Sequence, residues 1–531
     1  MENERKLMSG NEAVALGALH AGCALGVGYP GTPSTEILEN YSKLGGKAQW
    51  SPNEKVAAEV GIGVAFAGTR TLVTMKHVGL NVAADPFFTV AYTGVTGGMV
   101  MAVADDPGMA SSQNEQDSRN YARAAGIPML EPADSQEAYE MTKLAFEISE
   151  RWNIPVLLRL CTRVCHSKTI VVPGGSTSVP AANYVRNIQQ RVMIPGYARP
   201  AHKALRKKLA EMEAWNNADG PNQVLGNSDA KVGVIANGVT ALHALEADPE
   251  VKVLKLGMVY PLPMQAILDF IGSVEECIVI EESDPFIQTE VQAAGGKVRP
   301  RLERYRFGEL DVVRVKRIID GDDSEEPVPP RGKPPQLCAG CPHSVSFSIL
   351  KKLGCTITGD IGCYTLSVLP PLETMDTCVC MGASIGVGLG MRHVLPEEQA
   401  RKIVSVIGDG TFMHSGLTGI AEMVYNRPET GHVVVILDNG TTAMTGLQEH
   451  PGTGKKLDHL PTGKTVSLED TCAAMGVDNV VIADPQRETE KFEKAVSDAL
   501  ASNDLTVVIA RRPCILALTR DAKFERGEKV R

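Results

Sequence analysis

A chain of 531 residues predicts about three domains. Its 43% hydrophobic and 22% charged residues are those of an ordinary soluble globular protein. A formal net charge of −10 with no basic stripe argues against a nucleic-acid surface, so no nucleic acid is expected as a partner. The charged start Met1-Glu2-Asn3-Glu4-Arg5-Lys6 leads into no long apolar core, so it is not a signal peptide. No run of about eighteen apolar residues occurs, which predicts no membrane span and a cytoplasmic protein. The 12 cysteines then read as thiols or metal ligands rather than disulfides.

In chain order, a helical pattern runs from Gly10-Asn11-Glu12 through Ala21, and Gly26–Tyr29 is a short strand. Pro30-Gly31-Thr32-Pro33-Ser34-Thr35-Glu36 is a turn, with Ser34 or Thr35 as the cap of a helix from Glu36. A helix start of this kind is a natural anion site, although from the local residues alone a plain capped turn is the favoured reading. Trp50–Glu59 leads into a helix of small residues, Val60–Gly68, able to pack closely on a neighbour. Thr71–Met75, Met99–Val103 and Val156–Leu160 are strands, and their alternation with helices predicts a doubly wound parallel sheet over residues 1–190.

Residues 191–230 are polar and read as a linker carrying a charged helix near Ala204–Trp215. A smaller α/β domain follows at 231–319, with strands at Lys231–Ala236, Val253–Leu256 and Cys277–Ile280. Residues 320–336 are acidic and then hold five prolines, which makes them a second linker. The last domain is predicted at 337–520, with 521–531 as a tail. Here Ile403–Ile407 is a buried strand ending in the Gly408-Asp409-Gly410 turn, with a helix from His414 to Tyr425. Val433–Leu437 is the next strand and ends at Asp438-Asn439-Gly440. A carboxylate and an amide oxygen are thereby expected side by side past the ends of neighbouring parallel strands, where ligands of open α/β sheets bind. Hard oxygens in that place suit Mg²⁺, which completes its shell with phosphate oxygens.

The spacing of Gly408-Asp409-Gly410 and Asn439 resembles the thiamine diphosphate motif, which implies that Asp409, Asn439 and the Thr441 carbonyl hold magnesium. The resemblance becomes specific in Tyr29–Ser34, Asn53–Ala57, Lys76-His77-Val78-Gly79-Leu80-Asn81 and Ser111–Asp117. Together these look like the large (alpha) subunit of indolepyruvate:ferredoxin oxidoreductases, within the 2-oxoacid:ferredoxin oxidoreductase family. The implied fold class is α/β: two doubly wound thiamine diphosphate-binding domains flanking a smaller transketolase C-terminal-like domain. The first domain would bind the aminopyrimidine and the last the diphosphate.

The resemblance places the catalytic glutamate at Glu54, with Glu59 as competitor, and the threonine contacting the 2-oxoacid at Thr32. Burial of such a glutamate would suit a hydrogen-bonding, proton-managing role. His77 is weighted lower as a pocket residue. The arginine that pyruvate-type relatives use for the substrate carboxylate has no clear equivalent near Ser111–Asp117, where Arg119 is the nearest candidate. Gly362, Tyr364, Gly408, Gly410 and Met444 are further expected cofactor contacts, and an apolar Met444 suits a larger substrate.

Cys338-Ala339-Gly340-Cys341 alone is compatible with a zinc half-site, a redox pair or buried thiols. By resemblance, Cys338, Cys341, Cys363 and Cys514 occupy the places of a [4Fe-4S] cluster's ligands, and the alternative is thiols that only line the pocket. Cys378 and Cys380 rank below them. His343 is a third candidate catalytic group.

The implied reaction is oxidative decarboxylation of an arylpyruvate such as indolepyruvate to the acyl-CoA, with electrons passed through iron–sulfur clusters to ferredoxin or another acceptor. A smaller beta subunit would complete a hetero-oligomer. The usual large subunit also ends in two Cys-x-x-Cys-x-x-Cys-x-x-x-Cys-Pro runs, and none is found here. Either the sequence is a shortened one or the distal carriers sit on a partner. A non-oxidative decarboxylase or carboligase, and a non-catalytic scaffold with a thiamine fold, are the rival readings.

Overall fold

The computed structural model describes residues 5–327 and 334–525. The chain divides into two compact units, Met1–Pro327 and Val328–Arg531, the first of which holds both a seven-stranded and a four-stranded sheet. Among the described residues no helix is long and apolar enough to cross a membrane.

The first unit is built on a seven-stranded sheet. Its strand order is Met258–Tyr260, Met129–Leu130, Val156–Cys161, Met99–Asp105, Thr71–Lys76, Leu25–Gly28 and Ala48–Trp50. Only Met258–Tyr260 runs antiparallel to its neighbour. Continuous apolar runs fill the central strands because helices cover both faces; every residue of Met99–Asp105 and Val156–Cys161 is buried. The helix Glu54–Phe66 lies close on this sheet, as its small residues predict. A Cβ on Gly61 would stand 2.5 Å from Val73 Cγ2.

A four-stranded sheet follows in the same unit: Glu276–Ile280, Val232–Asn237, Lys252–Leu256 and, antiparallel at the edge, Gln223–Gly226. Two features correct the expected boundary between these sheets. Residues 191–230 are not a linker, because Pro195–Ala218 is a 24-residue helix and Gln223–Gly226 a strand. Leu205, Leu209 and Met212 form a narrow buried stripe along that otherwise polar helix, which composition alone conceals. Met258–Tyr260, read as part of the middle domain, pairs instead with Met129–Leu130 of the first sheet. One apolar core therefore runs through both sheets, from Met101 and Leu157 to Ile235, Phe270 and Phe286.

The second unit holds a six-stranded, wholly parallel sheet in the order Met375–Cys378, Thr356–Gly359, Ile403–Gly408, His432–Asp438, Leu505–Arg511, Asn479–Ala483. The strand His432–Asp438 shows why it is doubly covered. Val433, Val435 and Leu437 belong to one core, and Val434 and Ile436 to the core on the other face.

After Ile403–Gly408 there is no separate turn before a helix at His414. The helix opens at Asp409 itself and continues through a π-helical stretch, Phe412–Gly416, into Leu417–Tyr425. The expected tail also begins too early, since Ile515–Glu525 is helical. Residues 526–531 lie outside the described residues, as do 328–333 of the second predicted linker.

Candidate active site

In the first unit, three neighbouring parallel strands, Leu25–Gly28, Thr71–Lys76 and Met99–Asp105, end on one side. Their following segments carry the Gly31-Thr32 turn, the Lys76-His77 junction and the loop from Asp106 to Asp117. The turn closes on itself. Gly31 N donates to Thr35 Oγ1 at 2.9 Å and Ser34 Oγ donates to the Gly31 carbonyl at 2.9 Å. The expected cap is thereby corrected: Ser34 precedes the helix Thr35–Lys43, but neither hydroxyl caps it. Thr32 is linked across the bowl, its carbonyl accepting from Ser111 Oγ at 3.4 Å. Asp106 shapes the loop beyond, accepting from Ser111 N at 2.9 Å, Ser112 Oγ at 2.6 Å and Thr162 Oγ1 at 2.8 Å. Burial pushes the Asp106 carboxyl up, but these donors outweigh it and hold it below the usual carboxylate range.

Glu54 is the first residue of its helix, whose Asn53 cap accepts from Val56 N at 2.9 Å, and it is 4% exposed. Its carboxylate lies over Gly79, where an added Cβ would stand 2.6 Å from Glu54 Oε1. Glu59 is instead at the surface and paired with Lys55. The two glutamates are thus separated by burial, which no spacing rule could do. His77 is buried with Nε2 3.1 Å from the Asn114 carbonyl, and Nδ1 has no hydrogen-bond partner among the described residues. Arg119 is corrected outright. It is fully buried and held by Asp117 and Glu281, each at 2.5 Å, so it is not free for a substrate carboxylate.

In the second unit, Asp409 and Asn439 come together past the ends of adjacent strands, as predicted, and Asp409, Asn439 and Thr441 are all buried. Asp409 accepts from Gly410 N at 2.9 Å and Gly440 N at 2.8 Å. Asn439 Oδ1 accepts from Thr441 N at 3.1 Å. A carboxylate and an amide oxygen held by backbone donors at a strand-end crevice are the hard ligands that Mg²⁺ takes. The neighbouring Asp438 accepts from Arg511 Nε at 2.6 Å and also faces Asp409; burial first, and then the Asp409 carboxylate, push its pKa up.

His450, missed in the sequence, stands 3.2 Å from Asp409 Oδ2. Burial works against its charged form, but the Asp409 carboxylate prevails and holds its pKa above the ordinary histidine value. Gly410 also lies tight against this loop, with a Cβ there 2.8 Å from Thr442 Oγ1. Met444 is 49% exposed on the loop that follows. Tyr364, expected as a cofactor contact, braces the Gly408 turn. Its buried hydroxyl accepts from Gly408 N at 2.9 Å and donates to the Ile361 carbonyl at 3.1 Å. Gly362 packs on the same ring, its hypothetical Cβ 2.3 Å from Tyr364 Cε1.

The four proposed cluster cysteines converge. Cys338, Cys341, Cys363 and Cys514 line one cavity of about 80 Å³ that also reaches His343 and Asn439. Cys341 precedes the helix Pro342–Lys352, which carries His343; Cys363 opens a short helix; Cys514 N donates to the Asn439 carbonyl at 2.9 Å. Burial pushes the Cys363 thiol up to about 11, and the facing Cys341, Cys514 and Cys338 add to this. Among the described residues no three His, Cys, Asp or Glu side chains gather tightly enough for a single metal ion. The four thiols share the lining of one cavity. Cys378 and Cys380 are exposed and are not among the residues lining this cavity.

His343 is 4% exposed, and burial lowers its pKa to about 4 against the opposing field of Asp409. It is therefore neutral at neutral pH. Its Nε2 accepts from Asn439 Nδ2 at 3.2 Å, which leaves the proton on Nδ1.

Two family models match separate parts of the chain. Residues 16–209 match the thiamine diphosphate-binding region of pyruvate flavodoxin/ferredoxin oxidoreductases, and 360–510 the C-terminal TPP-binding domain of thiamine pyrophosphate enzymes. Fold and site together define a thiamine diphosphate-dependent enzyme of the 2-oxoacid oxidoreductase class.

The indolepyruvate oxidoreductase subunit IorA of Archaeoglobus fulgidus is 40% identical over 566 aligned positions, covering 99% of this chain and 89% of the relative. That of Pyrococcus horikoshii is 38% identical, covering 97% and 86%. The chain belongs to this family of indolepyruvate oxidoreductase alpha subunits. Among solved structures, a 2-oxoglutarate:ferredoxin oxidoreductase from Magnetococcus marinus matches with a TM-score of 0.46 and 17% identity, over 56% of this chain and 61% of the other.

Proposed function

We propose that this chain is the catalytic large subunit of an enzyme that oxidatively decarboxylates an arylpyruvate of the indolepyruvate type to its acyl-CoA and CO₂. Electrons leave through iron–sulfur chemistry to ferredoxin or a comparable acceptor, and a smaller beta subunit completes the assembly. The observation that carries this reading is the convergence of Cys338, Cys341, Cys363 and Cys514 on one cavity with His343 and Asn439. A non-oxidative decarboxylase needs no such set of thiols.

Thiamine diphosphate, when bound, supplies the electron sink for loss of CO₂. The residues divide the remaining work. Glu54, buried over Gly79, is placed to hold a proton shared with a ring nitrogen of the cofactor. Asp409, Asn439 and the Thr441 carbonyl are the Mg²⁺ ligands in this reading, with Gly408 and Gly410 allowing close approach of a diphosphate. Tyr364 keeps Gly408 in place. Neutral His343 holds the Asn439 amide and so orients that ligand. The four cysteines are the [4Fe-4S] ligands. Met444 and Thr32 are assigned to the substrate.

The test is one anaerobic preparation of the holoenzyme analysed for iron, sulfide and thiamine diphosphate, with dye reduction followed against a panel of 2-oxoacids. About four irons beyond any bound by the partner, and fastest turnover with arylpyruvates, are expected. Turnover without iron would sink the oxidative reading. Asp409→Ala should weaken Mg²⁺-dependent cofactor binding by more than the ~10–100-fold that outer-shell partners of a metal cost.

A further inference from the structure

Arg119 is consumed by Asp117 and Glu281, which leaves the substrate carboxylate without an assigned cation. A different cation stands at the bowl. Lys76 is the last residue of the strand Thr71–Lys76, between the strands that lead to Thr32 and to Asp106. Its side chain crosses beneath the Gly31-Thr32 turn, where a Cβ on Gly31 would lie 3.0 Å from Lys76 Cδ. Its ammonium donates to the Ser111 carbonyl at 3.1 Å, and Ser111 Oγ in turn reaches the Thr32 carbonyl. The residue is only partly covered, and one backbone carbonyl uses one of its three donors.

We propose that Lys76 is the cation that receives the carboxylate of the 2-oxoacid, beside Thr32 and over the Asp106–Ser111 loop. This rests on the 2-oxoacid reading above and deepens it by naming the group that binds the end of the substrate lost as CO₂. Asp106 and Glu54 both contribute a field that favours the charged ammonium. Burial opposes them and lowers the Lys76 pKa, so the bare site holds a partly desolvated cation. An incoming carboxylate supplies the counter-charge at close range. Asp106, engaged by Ser111, Ser112 and Thr162, acts on Lys76 through its field rather than through a hydrogen bond.

The experiment uses the holoenzyme carrying Lys76→Met and, separately, Lys76→Arg. Substrate-dependent dye reduction with indolepyruvate gives KM and kcat. Calorimetry with indole-3-acetate and indole-3-acetamide gives binding of a carboxylate and its uncharged analogue without turnover. Lys76→Met should raise KM about 10–100-fold, the range for one charge-assisted contact, with kcat within about threefold. It should erase the preference for the acetate over the acetamide while leaving bound thiamine diphosphate unchanged, and Lys76→Arg should restore most of that preference.

A merely structural Lys76 would shift both probes equally, and that result overturns the assignment, as does a wild-type enzyme with no preference for the acetate. If the wild type oxidises no 2-oxoacid, the functional reading falls. If it does, and Lys76→Met keeps both KM and the acetate preference, only the assignment of Lys76 falls.

Discussion

The two parallel sheets end in different ways. In the first unit the charged groups at the ends of Met99–Asp105 and Val156–Cys161 are spent on one another. Arg159 holds Asp105 and Glu131 at 2.7 Å each, and Arg119 holds Asp117 and Glu281, all buried. Glu281 ends the four-stranded sheet, so this cluster ties the two sheets of the unit together. In the second unit the corresponding carboxylate, Asp409, has backbone N–H groups, one histidine and the Asp438 carboxyl about it, with neutral His343 and four thiols near Asn439. Desolvating an ion costs several kcal/mol, so a buried carboxylate must be matched. A guanidinium matches it permanently, whereas backbone donors still leave lone pairs for a cation. A strand-end acid is thus closed to a cation or left open to one according to what faces it, not according to where it stands.

The largest expected effect tests Glu54, the acid of the first unit that escapes the arginine cluster. Glu54→Gln should cut substrate-dependent dye reduction by about 10²–10⁴-fold with cofactor still bound, and Glu59→Gln should leave turnover alone. Equal losses in the two variants would show that burial does not distinguish them. Arg159→Met should destabilise the first unit by about 3–5 kcal/mol in urea unfolding, because it strands Asp105 and Glu131 as buried charges. A neutral result would mean that Asp105 and Glu131 do not depend on Arg159 for their counter-charge.

Glu282 sharpens the contrast through pH. Burial raises its pKa to about 7 from 4.5, so the folded chain keeps a proton that the unfolded chain has released. Its contribution to stability therefore falls as pH rises from about 4.5 to 7 and is flat above. Glu282→Gln, which can still accept from Leu310 N, should gain about 2–3 kcal/mol relative to wild type between pH 4.5 and 8. Parallel pH profiles of the two proteins would refute this. The smallest effect belongs to Tyr364→Phe, which leaves Gly408 N without its acceptor and should cost about 1–3 kcal/mol of stability, with a modest loss of cofactor affinity by calorimetry.

Short-range patterns carried much of this protein. Continuous apolar runs such as Val433–Leu437 announce strands covered on both faces, whereas the helix read at Val60–Gly68 opens earlier, at Glu54 behind its Asn53 cap. Asp409 and Asn439 were legible because adjacent parallel strands bring their ends together whatever else the chain does. What the residues could not disclose was pairing across long separations. Arg119 meets Glu281, 162 residues away, and this alone removes it from the list of substrate cations. Met258–Tyr260 joins the first sheet rather than the one it follows. His450 faces Asp409 at a separation of 41 residues, from the irregular stretch that follows Asn439, with no periodicity to betray it. Local sequence sets what a segment can become, because hydrogen bonding and side-chain periodicity act over a few residues. Which charges neutralise one another and which stay available for a ligand is settled only when distant strands share a buried, low-dielectric edge.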